Sequence, residues 1–330
     1  MPPVEVSPGM KNETTEDDMK VLVAGATGGL GRSLVPKLIA AGHEVTGMIR
    51  SESGAAGVRA QGAGVVFADG LNADAVKAAV VSVQPEVVVH QMTALKAGIN
   101  FKKFDESFAV TNRLRTEGTQ NLLAASHAAG VRRIVAQSYA GWNLQQGGSA
   151  TKTEDDPLIE NPIPASRETL SAIQKLEADV TGDKTIEGLV LRYASFYGPT
   201  GSIGKGGEMV GLVQKRRLPL VGDGAGIWSF IHYDDAADAT VRAITTGDPG
   251  IYQIADDDPA SVAVWLPEFA RILGAKPPRH LPAWLAKLAI GELGVSAFTQ
   301  QRGADNAKAK DTFSWQPGYA SWRQGFRHGL

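Results

Sequence analysis

The segment from Met19 to Gly31 constrains the fold more than any other part of the chain. An apolar run with β-branched residues, Lys20 to Ala24, leads directly into a glycine-rich turn and then into a helical pattern that ends near Gly42. A continuous apolar run of this length is typical of a strand buried on both faces of a parallel sheet. The order of strand, glycine turn and helix therefore predicts the first unit of an α/β fold.

The turn carries glycine at three spaced positions, Gly25, Gly28 and Gly31. In such a turn the first glycine permits a tight bend, the second lets a pyrophosphate approach the backbone, and the third lets helix and strand pack closely. The free N–H groups at the start of the following helix also favour an anion. The sequence thus predicts a dinucleotide site at this turn. The residues of the turn predicted to bind the cofactor are Gly25, Thr27, Gly28, Gly29, Leu30 and Gly31.

Strand and helix patterns alternate along the following part of the chain. Further strands are predicted at 44–49, 64–68, 86–90, 133–137 and 188–192, and helices at 73–80, 119–129 and 166–180, with Ser166 as the cap of the last. Alternation at this spacing predicts a doubly wound parallel sheet of the Rossmann type. We expect a polar tail at 1–18, a mainly dinucleotide-binding domain at 19–190, and a smaller substrate-binding lobe. That lobe, 191–330, is interleaved with the last strands and includes helices at 263–273 and 282–293.

The residues after the predicted strands indicate which dinucleotide binds. Arg50 and Ser51 stand where an acidic residue would accept a hydrogen bond from the adenosine ribose. Since a guanidinium suits a phosphate, the sequence favours NADP over NAD, the alternative being a solvated Arg50. Asp69 is predicted either to bind the adenine amine or to cap the next helix. Gln91 is predicted to line the crevice.

Composition excludes several classes of function. The formal net charge is −2 with no basic stripe, so nucleic acid is not an expected partner. Cysteine is absent, which excludes disulfides, thiolate catalysis and cysteine-ligated metal, and the six histidines lack metal-ligand spacing. No run of 18 apolar residues and no signal-peptide pattern occurs, so the sequence predicts a cytoplasmic protein without a membrane partner.

Several further motifs accompany the glycine turn. They are Leu191-Arg192-Tyr193, Phe196-Tyr197-Gly198-Pro199, Val221-Gly222-Asp223-Gly224, Phe230-Ile231-His232-Tyr233-Asp234-Asp235-Ala236-Ala237 and Trp315-Gln316-Pro317. With them, the chain from about Met19 onward resembles an extended short-chain dehydrogenase/reductase of the NAD(P)-dependent epimerase/dehydratase group. The resemblance implies a Rossmann-type fold and chemistry at a bound nicotinamide.

The resemblance also implies a Tyr-x-x-x-Lys pair on one helix and a Ser or Thr after the fifth strand. Here Lys175 matches the lysine, but Ser171 stands four residues earlier, and Tyr139 follows Ser138 at the position of the hydroxyl residue. We therefore hypothesise that the two hydroxyls have exchanged places. Tyr139 would then be the proton donor, Ser171 the orienting hydroxyl, and Lys175 would also bind the nicotinamide ribose. The alternatives are a Tyr139 that only packs against the ligands and a solvated Lys175.

Aromatic residues near the crevice bear on the substrate. Trp142, Tyr193 and Trp228 are predicted to line its pocket, and Trp228 occupies a position where relatives that act on nucleotide sugars usually carry arginine. An indole cannot pair with a phosphate but can stack on an aromatic group. The predicted function is hydride transfer between NADP and a small uncharged or aromatic carbonyl or alcohol.

Two alternatives stay open at this point. The first is an epimerase, isomerase or dehydratase that retains its cofactor, and the second is a non-catalytic dinucleotide-binding sensor. The resemblance further implies a homodimer formed by the helices near 104–125 and 166–180.

Overall fold

The computed structural model describes residues 18–95 and 99–330. Of the predicted tail, residues 1–17 lie outside the described part. The strands are β1 Lys20–Ala24, β2 Glu44–Ile49, β3 Gly64–Phe67, β4 Val87–His90, β5 Arg133–Tyr139, β6 Thr151–Lys152, β7 Glu187–Tyr193, β8 Ser195–Tyr197, β9 Leu220–Val221, β10 Ile227–Trp228, β11 Phe230–His232, β12 Gly250–Ile254, β13 Ala260–Ser261, β14 His280–Leu281 and β15 Gly303–Ala304. The helices are α1 Gly29–Ala40, α2 Ala55–Ala60, α3 Ala73–Val83, α4 Phe104–Arg113, α5 Thr119–Ala129, α6 Arg167–Thr181, α7 Glu208–Gln214, α8 Tyr233–Ala243, α9 Val262–Ile272, α10 Ala283–Thr299, α11 Ala307–Phe313 and α12 Trp322–His328.

Seven parallel strands form the central sheet in the order β12-β7-β5-β4-β1-β2-β3. Side chains of β1 alternate between two cores. Val21 and Val23 pack in the core that contains residues of α1 and α8, whereas Leu22 and Ala24 pack in the core that contains residues of α3 and α5. Helices therefore cover both faces of the sheet, and the predicted doubly wound Rossmann-type fold is confirmed.

The C-terminal part of the chain contributes to the sheet and also builds a third core, separate from the two cores on the faces of the sheet. The expected boundary at 190/191 falls inside β7, and β12 later returns to pair with that strand. This third core includes the buried side chains of Phe230, Trp265 and Trp322. The helices predicted at 263–273 and 282–293 correspond to α9 and to α10, which continues to Thr299 beyond a kink at Gly291 with φ of +74°.

Helix α6 begins one residue later than predicted, at Arg167, and Ser166 does not cap it through its side chain. The Ser166 hydroxyl instead donates to a carbonyl of the preceding turn. The amides of Glu168 and Thr169 donate to the carboxylate of Asp105, at 3.1 and 2.8 Å. The cap therefore comes from α4, because a carboxylate on a neighbouring helix reaches the free N–H groups that a local hydroxyl leaves unpaired.

Asp69 does not cap α3, so the alternative interpretation of this residue is wrong. The cap is Asn72, whose side chain accepts a hydrogen bond from the Ala75 amide at 3.0 Å. Asp69 lies one turn earlier and accepts from the Leu71 amide at 3.0 Å, which tightens the loop after β3.

Helices α4 and α5 are joined by a π-helical segment, Leu114–Gly118. Such segments interrupt the regular hydrogen-bond ladder and turn side chains away from their α-helical positions, and they occur frequently at functional sites. The segment carries Arg115, a buried cation.

Candidate active site

Strands β1 to β5 end at one edge of the sheet, and candidate residues follow those ends. Gly25 follows β1, Arg50 follows β2, Asp69 comes two residues after β3, Gln91 follows β4, and Tyr139 is the last residue of β5. Ligands of doubly wound sheets bind at this edge. The fold thus brings the predicted cofactor-binding residues and Tyr139 to one edge.

The glycine turn has the shape of a pyrophosphate cradle. Gly25 has φ of +99°, and a Cβ on it would lie 2.6 Å from the carbonyl oxygen of Gln91. A Cβ on Gly31 would lie 2.5 Å from the carbonyl oxygen of Ala26, so both positions require glycine. A Cβ on Gly28 would meet only the carbonyl of Gly25, at 3.2 Å, which leaves its other sides open. Bare backbone with open space at its centre fits the pyrophosphate of a dinucleotide.

The first turn of α1 supplies the hydrogen-bond donors of this cradle. The amides of Gly29, Leu30 and Gly31 have no partner within the helix, because they belong to its first turn. The Leu30 side chain is buried in the core, so only its backbone can serve an anion. Thr27 is exposed, and its carbonyl oxygen accepts from Arg32 Nε at 3.2 Å, which places that guanidinium beside the turn.

The residues after β2 and β3 are accessible to an adenosine moiety. Arg50 is exposed and forms no ion pair within the described residues, and the Ser51 hydroxyl lies 3.0 Å from that of Ser53. Asp69 is exposed and uses one carboxylate oxygen for the loop contact described above. A guanidinium without a competing carboxylate partner fits a ribose phosphate.

Gln91 is buried behind the glycine turn, with 4% of its surface exposed. Within the described residues, neither polar atom of its amide has a hydrogen-bond partner of ordinary geometry. Its amide nevertheless acts on the Tyr193 hydroxyl, so the contact of Gln91 with a ligand stays a prediction.

Tyr193 and Trp228 are both predicted to line the substrate pocket, but both lie in hydrophobic cores. Tyr193 belongs to the core that contains residues of α1 and α8, and Trp228 belongs to the C-terminal core with Phe230 and Trp265. Tyr193 has no exposed surface, and its hydroxyl lies 2.6 Å from that of Thr240. Burial raises the pKa of this phenol above its ordinary value. Trp228 is 8% exposed, and its indole N–H donates to the Ala297 carbonyl at 2.8 Å. The structure thus gives both side chains a packing environment, and their contact with a substrate stays a prediction.

Helix α6 presents Ser171 and Lys175 on its exposed face, where Lys175 forms an ion pair with Asp179 at 2.8 Å. Its buried face carries Thr169, Ile173 and Glu177. The two sets lie on different faces because residues four apart on a helix share a face whereas residues two apart do not.

The exchange hypothesis requires Ser171 and Lys175 to lie close to Tyr139, and the structure shows no contact between them within the described residues. Tyr139 is half-buried at the end of β5, where its hydroxyl lies 3.4 Å from Ser195 Oγ. The catalytic roles of Ser171 and Lys175 stay predictions that no contact in the described structure supports.

Thr169 and Ile173 occupy the buried face where a Tyr-x-x-x-Lys pair would point toward the sheet. The Thr169 hydroxyl donates to Asp105 at 2.6 Å and accepts from the Asn112 amide at 3.0 Å, and Ile173 is 1% exposed. This face therefore offers neither a phenol nor an ammonium group for proton transfer.

Ser138, the other predicted hydroxyl, belongs to a buried ion-pair network. Its hydroxyl donates to Glu177 at 2.7 Å. The Glu177 carboxylate also accepts from Arg192 in bidentate geometry, at 2.8 and 2.6 Å. This arrangement engages both oxygens of Glu177 and links β5, α6 and β7.

Tyr139 retains the features of a hydrogen-bond donor but not those of an ionised phenol. Burial raises its pKa, and the contact with Ser195 lowers it only in part. Its ring lies over Gly141, where a Cβ would come within 2.6 Å of the hydroxyl. The phenol is therefore protonated at neutral pH.

The sequence profile of the NAD dependent epimerase/dehydratase family matches residues 21–255. The chain belongs to this family. A 3-diazoavenalumate denitrifying reductase from a Streptomyces species is 44% identical over 308 residues, which cover 93% of this chain and 99% of that protein. A UDP-glucose 4-epimerase from Mycolicibacterium smegmatis is 27% identical and covers 91% and 94% of the two chains. This epimerase/dehydratase family member is thus an NAD(P)-dependent oxidoreductase.

Solved structures of family members share the fold. UDP-glucose 4-epimerase from Thermotoga maritima, with UDP-glucose, has a TM-score of 0.72 and 22% identity, covering 94% of this chain and 96% of that chain. A human epimerase family protein with NADPH has a TM-score of 0.73 and 20% identity, covering 94% and 98%. At these identities the likeness concerns the fold alone.

Neither a metal-ligand cluster nor a membrane-spanning helix occurs in the described part of this family member. Residues 18–95 and 99–330 contain no group of three or more His, Cys, Asp or Glu that could hold a metal ion. None of the helices in the same ranges combines the length and apolar character that a membrane span requires.

An aromatic cluster next to the strand ends escaped the sequence analysis. Phe104 stacks on Phe108 with ring centroids 4.4 Å apart and meets Trp142 edge-on at 5.2 Å. Trp142, which follows β5, is only partly buried, whereas Phe104 and Phe108 are 3% and 8% exposed, so within this cluster the predicted pocket residue Trp142 is the ring with accessible surface. The signal available in the sequence was Phe104 and Phe108, four residues apart on one helix face.

His90 also escaped the sequence analysis, since it belongs to no motif. His90 ends β4, is fully buried, and lies 3.1 Å from the Thr119 hydroxyl through Nε2. Its Nδ1 accepts from the Met92 amide at 3.2 Å. Burial, and then the charge of Arg115, lower the pKa of His90 to about 4, although a backbone contact with Leu114 raises it in part.

This pKa predicts a dependence of stability on pH. Unfolding restores a pKa near 6.5, so the unfolded chain binds more protons between pH 6.5 and 4. The stability contributed by neutral His90 is complete above pH 6.5 and is lost as the pH falls to 4, by about 3 kcal/mol. Urea unfolding of the wild type and of His90→Gln across this range measures it. A variant with the same pH slope as the wild type would contradict the prediction.

Proposed function

We propose that this family member is an NADPH-preferring reductase that reduces an arenediazonium group with loss of dinitrogen. The observation that carries the proposal is the buried face of α6, where Thr169 and Ile173 replace a proton-donating pair. Reduction of a carbonyl requires a proton at the developing alkoxide, which such a pair would supply. Displacement of dinitrogen by hydride requires no proton, so it suits a site that lacks the pair.

The proposed step is balanced without further reactants. When NADPH is bound, it supplies a hydride, which forms the new C–H bond while the C–N bond breaks and its electron pair leaves with dinitrogen. The residues of the chain hold the reacting partners in place. The partly buried ring of Trp142, which packs edge-on against Phe104, offers a surface on which a flat aromatic substrate would stack. The relative that is 44% identical is named as a denitrifying reductase of a diazo compound, which supports the same class of substrate.

The experiment is an assay with NADPH deuterated at the transferred position and benzenediazonium as the substrate. We expect enzyme-dependent oxidation of NADPH, release of dinitrogen, and benzene that carries one deuterium, measured by absorbance and mass spectrometry against a reaction without enzyme. Parallel assays with aldehydes, ketones and UDP-glucose test the carbonyl and epimerase alternatives. Turnover of those compounds but not of the diazonium, or cofactor retained through purification, would contradict the proposal.

Tyr139→Phe distinguishes reduction of a diazonium group, which needs no proton donor, from reduction of a carbonyl, which needs one. If the hydride displaces dinitrogen without a proton donor, the variant should keep kcat for the diazonium within about tenfold, whereas an essential general acid would cost about a hundredfold or more. Among residues 18–95 and 99–330 the Tyr139 hydroxyl has a single hydrogen-bond contact, at 3.4 Å with Ser195, so we expect the fold to persist. Turnover after rapid mixing, with the Tm of each protein as the control, measures the effect. A hundredfold loss would restore Tyr139 as the proton donor.

The preference for NADPH rests on Arg50, with Ser51 and Arg32 beside it. Arg50→Gln should weaken NADPH binding by about tenfold and leave NADH binding unchanged, because a charge-assisted hydrogen bond to the 2′-phosphate is lost. Calorimetric titration of both cofactors measures this difference. Arg59→Gln is the matched control, since that exposed guanidinium pairs with Glu52 at 2.6 Å. An equal loss for NADPH and NADH would contradict the assignment.

The sequence also predicts the oligomeric state of the protein and its location in the cell. We propose a homodimer through the helices near 104–125 and 166–180, whose exposed side chains include Ser171 and Arg113. Light scattering of the purified protein tests the dimer. The cytoplasmic location stays a prediction from the sequence.

A further inference from the structure

Arg115 is a buried cation that the reaction described so far does not use. It lies on the π-helical segment with 8% of its surface exposed, and its Nη1 has no hydrogen-bond partner within the described residues. It forms no ion pair in this part of the chain. An unpaired buried charge costs several kcal/mol, so an arginine at such a position needs a compensating group.

The carboxylates nearby do not supply that compensation. Glu177 is the acid whose charge acts on Arg115, but its two oxygens are engaged by Arg192 and Ser138. The Glu154 carboxylate interacts electrostatically with Lys308 and Arg192. His90, beside Arg115, is neutral at physiological pH. The charge of Glu177 therefore reaches Arg115, but Nη1 of Arg115 has no hydrogen-bonded carboxylate within the described residues.

The position of the guanidinium connects it to the proposed pocket. Its Cζ lies 5.9 Å from the ring centroid of Phe108, which belongs to the aromatic cluster with Phe104 and Trp142. Its charge also acts on His90 at the end of β4. The cation thus lies next to the buried Phe108 ring and acts on the residue that ends β4 at the ligand-binding edge of the sheet.

We propose that Arg115 binds an anionic oxygen, a carboxylate or phenolate, carried by the aromatic substrate. The inference rests on the proposed function for the aromatic character of the substrate. Arginine suits this task because its planar fork donates two parallel hydrogen bonds to an oxyanion and keeps its charge when buried. The substrate would place its ring against Trp142 and its oxyanion at the Arg115 guanidinium.

The test measures binding of unreactive ligands to the full chain saturated with NADP⁺. Two matched pairs are titrated by calorimetry at pH 8.5: benzoate against benzamide for the carboxylate, and 4-nitrophenolate against 4-nitroanisole for the phenolate. In the wild type, at least one anion should bind about tenfold or more tightly than its neutral partner. The pair that shows the preference identifies the oxyanion.

The variant is Arg115→Met, with Arg113→Met as the matched control. Arg113 lies two residues earlier, is exposed and pairs with Glu117, so its loss changes the net charge equally. Arg115→Met should abolish the preference for the anion and leave the Tm unchanged or raised, because the variant removes a buried unpaired charge. Arg113→Met should retain the preference, and Arg115→Lys should retain part of it.

Equal binding within both pairs of ligands in the wild type, including no measurable binding, would overturn the inference. A preference that persists in Arg115→Met would also overturn it. A Tm that falls in Arg115→Met, with no recovery of the preference in Arg115→Lys, would assign Arg115 to the fold instead. Because the ligands carry no diazo group, failure of the diazonium assay would refute the proposed function without deciding this test.

Discussion

Replacement of Gly28 by valine should weaken NADPH binding by about a hundredfold or more, close to 3 kcal/mol, without unfolding the protein. The reason is steric: the backbone of Gly28 has ordinary extended angles, with φ of −70° and ψ of 172°, and only one backbone oxygen lies near its Cβ position. Valine therefore fits the chain but fills the space that a pyrophosphate would occupy. Calorimetric titration with NADPH and a thermal melt measure the two effects.

Gly57→Val is the control for this substitution. Gly57 lies in α2, and nothing lies within 4 Å of its Cβ position, so added bulk there should not affect the cofactor. If Gly28→Val bound NADPH as tightly as Gly57→Val, the pyrophosphate would not lie on this turn.

Glu177→Gln should lower the free energy of unfolding by about 3 to 5 kcal/mol. The side chain keeps its size, but the buried guanidinium of Arg192 loses a bidentate partner and the nearby Arg115 loses its acid. Both buried guanidinium groups would then lose the negative charge of Glu177. Urea denaturation of the purified variant measures the loss.

The matched control is Glu117→Gln, which breaks an exposed pair with Arg113 one helical turn away. Exposed pairs of this kind contribute about 0.5 kcal/mol or less, since water screens them and their side chains lose entropy. If the two variants lost equal stability, the buried network would not be a source of stability.

The fold could be predicted because its signals are local. The apolar run at 20–24 is long enough for a buried strand, the glycines after it permit one kind of turn, and Gly130 ends α5 in the left-handed conformation at φ of +71°. Each of these patterns depends on residues within one turn or one strand. The cofactor turn was predictable for the same reason.

The catalytic region was less predictable because it depends on which face of a helix is buried. The spacing of Ser171 and Lys175 matched a motif, but α6 turns those residues to the solvent and buries Thr169 and Ile173. Sequence spacing shows which residues share a face, not which face the tertiary packing covers. Asp105 acts through contacts between distant segments, and no local sequence pattern predicts them.

The return of β12 to the edge of the sheet limits how this protein can be re-engineered. Residues 194–249 leave the sheet and residues 250–254 rejoin it beside β7, so a strand of the central sheet interrupts the C-terminal part of the chain, where the substrate lobe is predicted. A chimera with one crossover near residue 190 would exchange that strand together with the lobe and put a foreign edge beside β7. Transfer of substrate specificity between relatives would therefore need crossovers on both sides of β12.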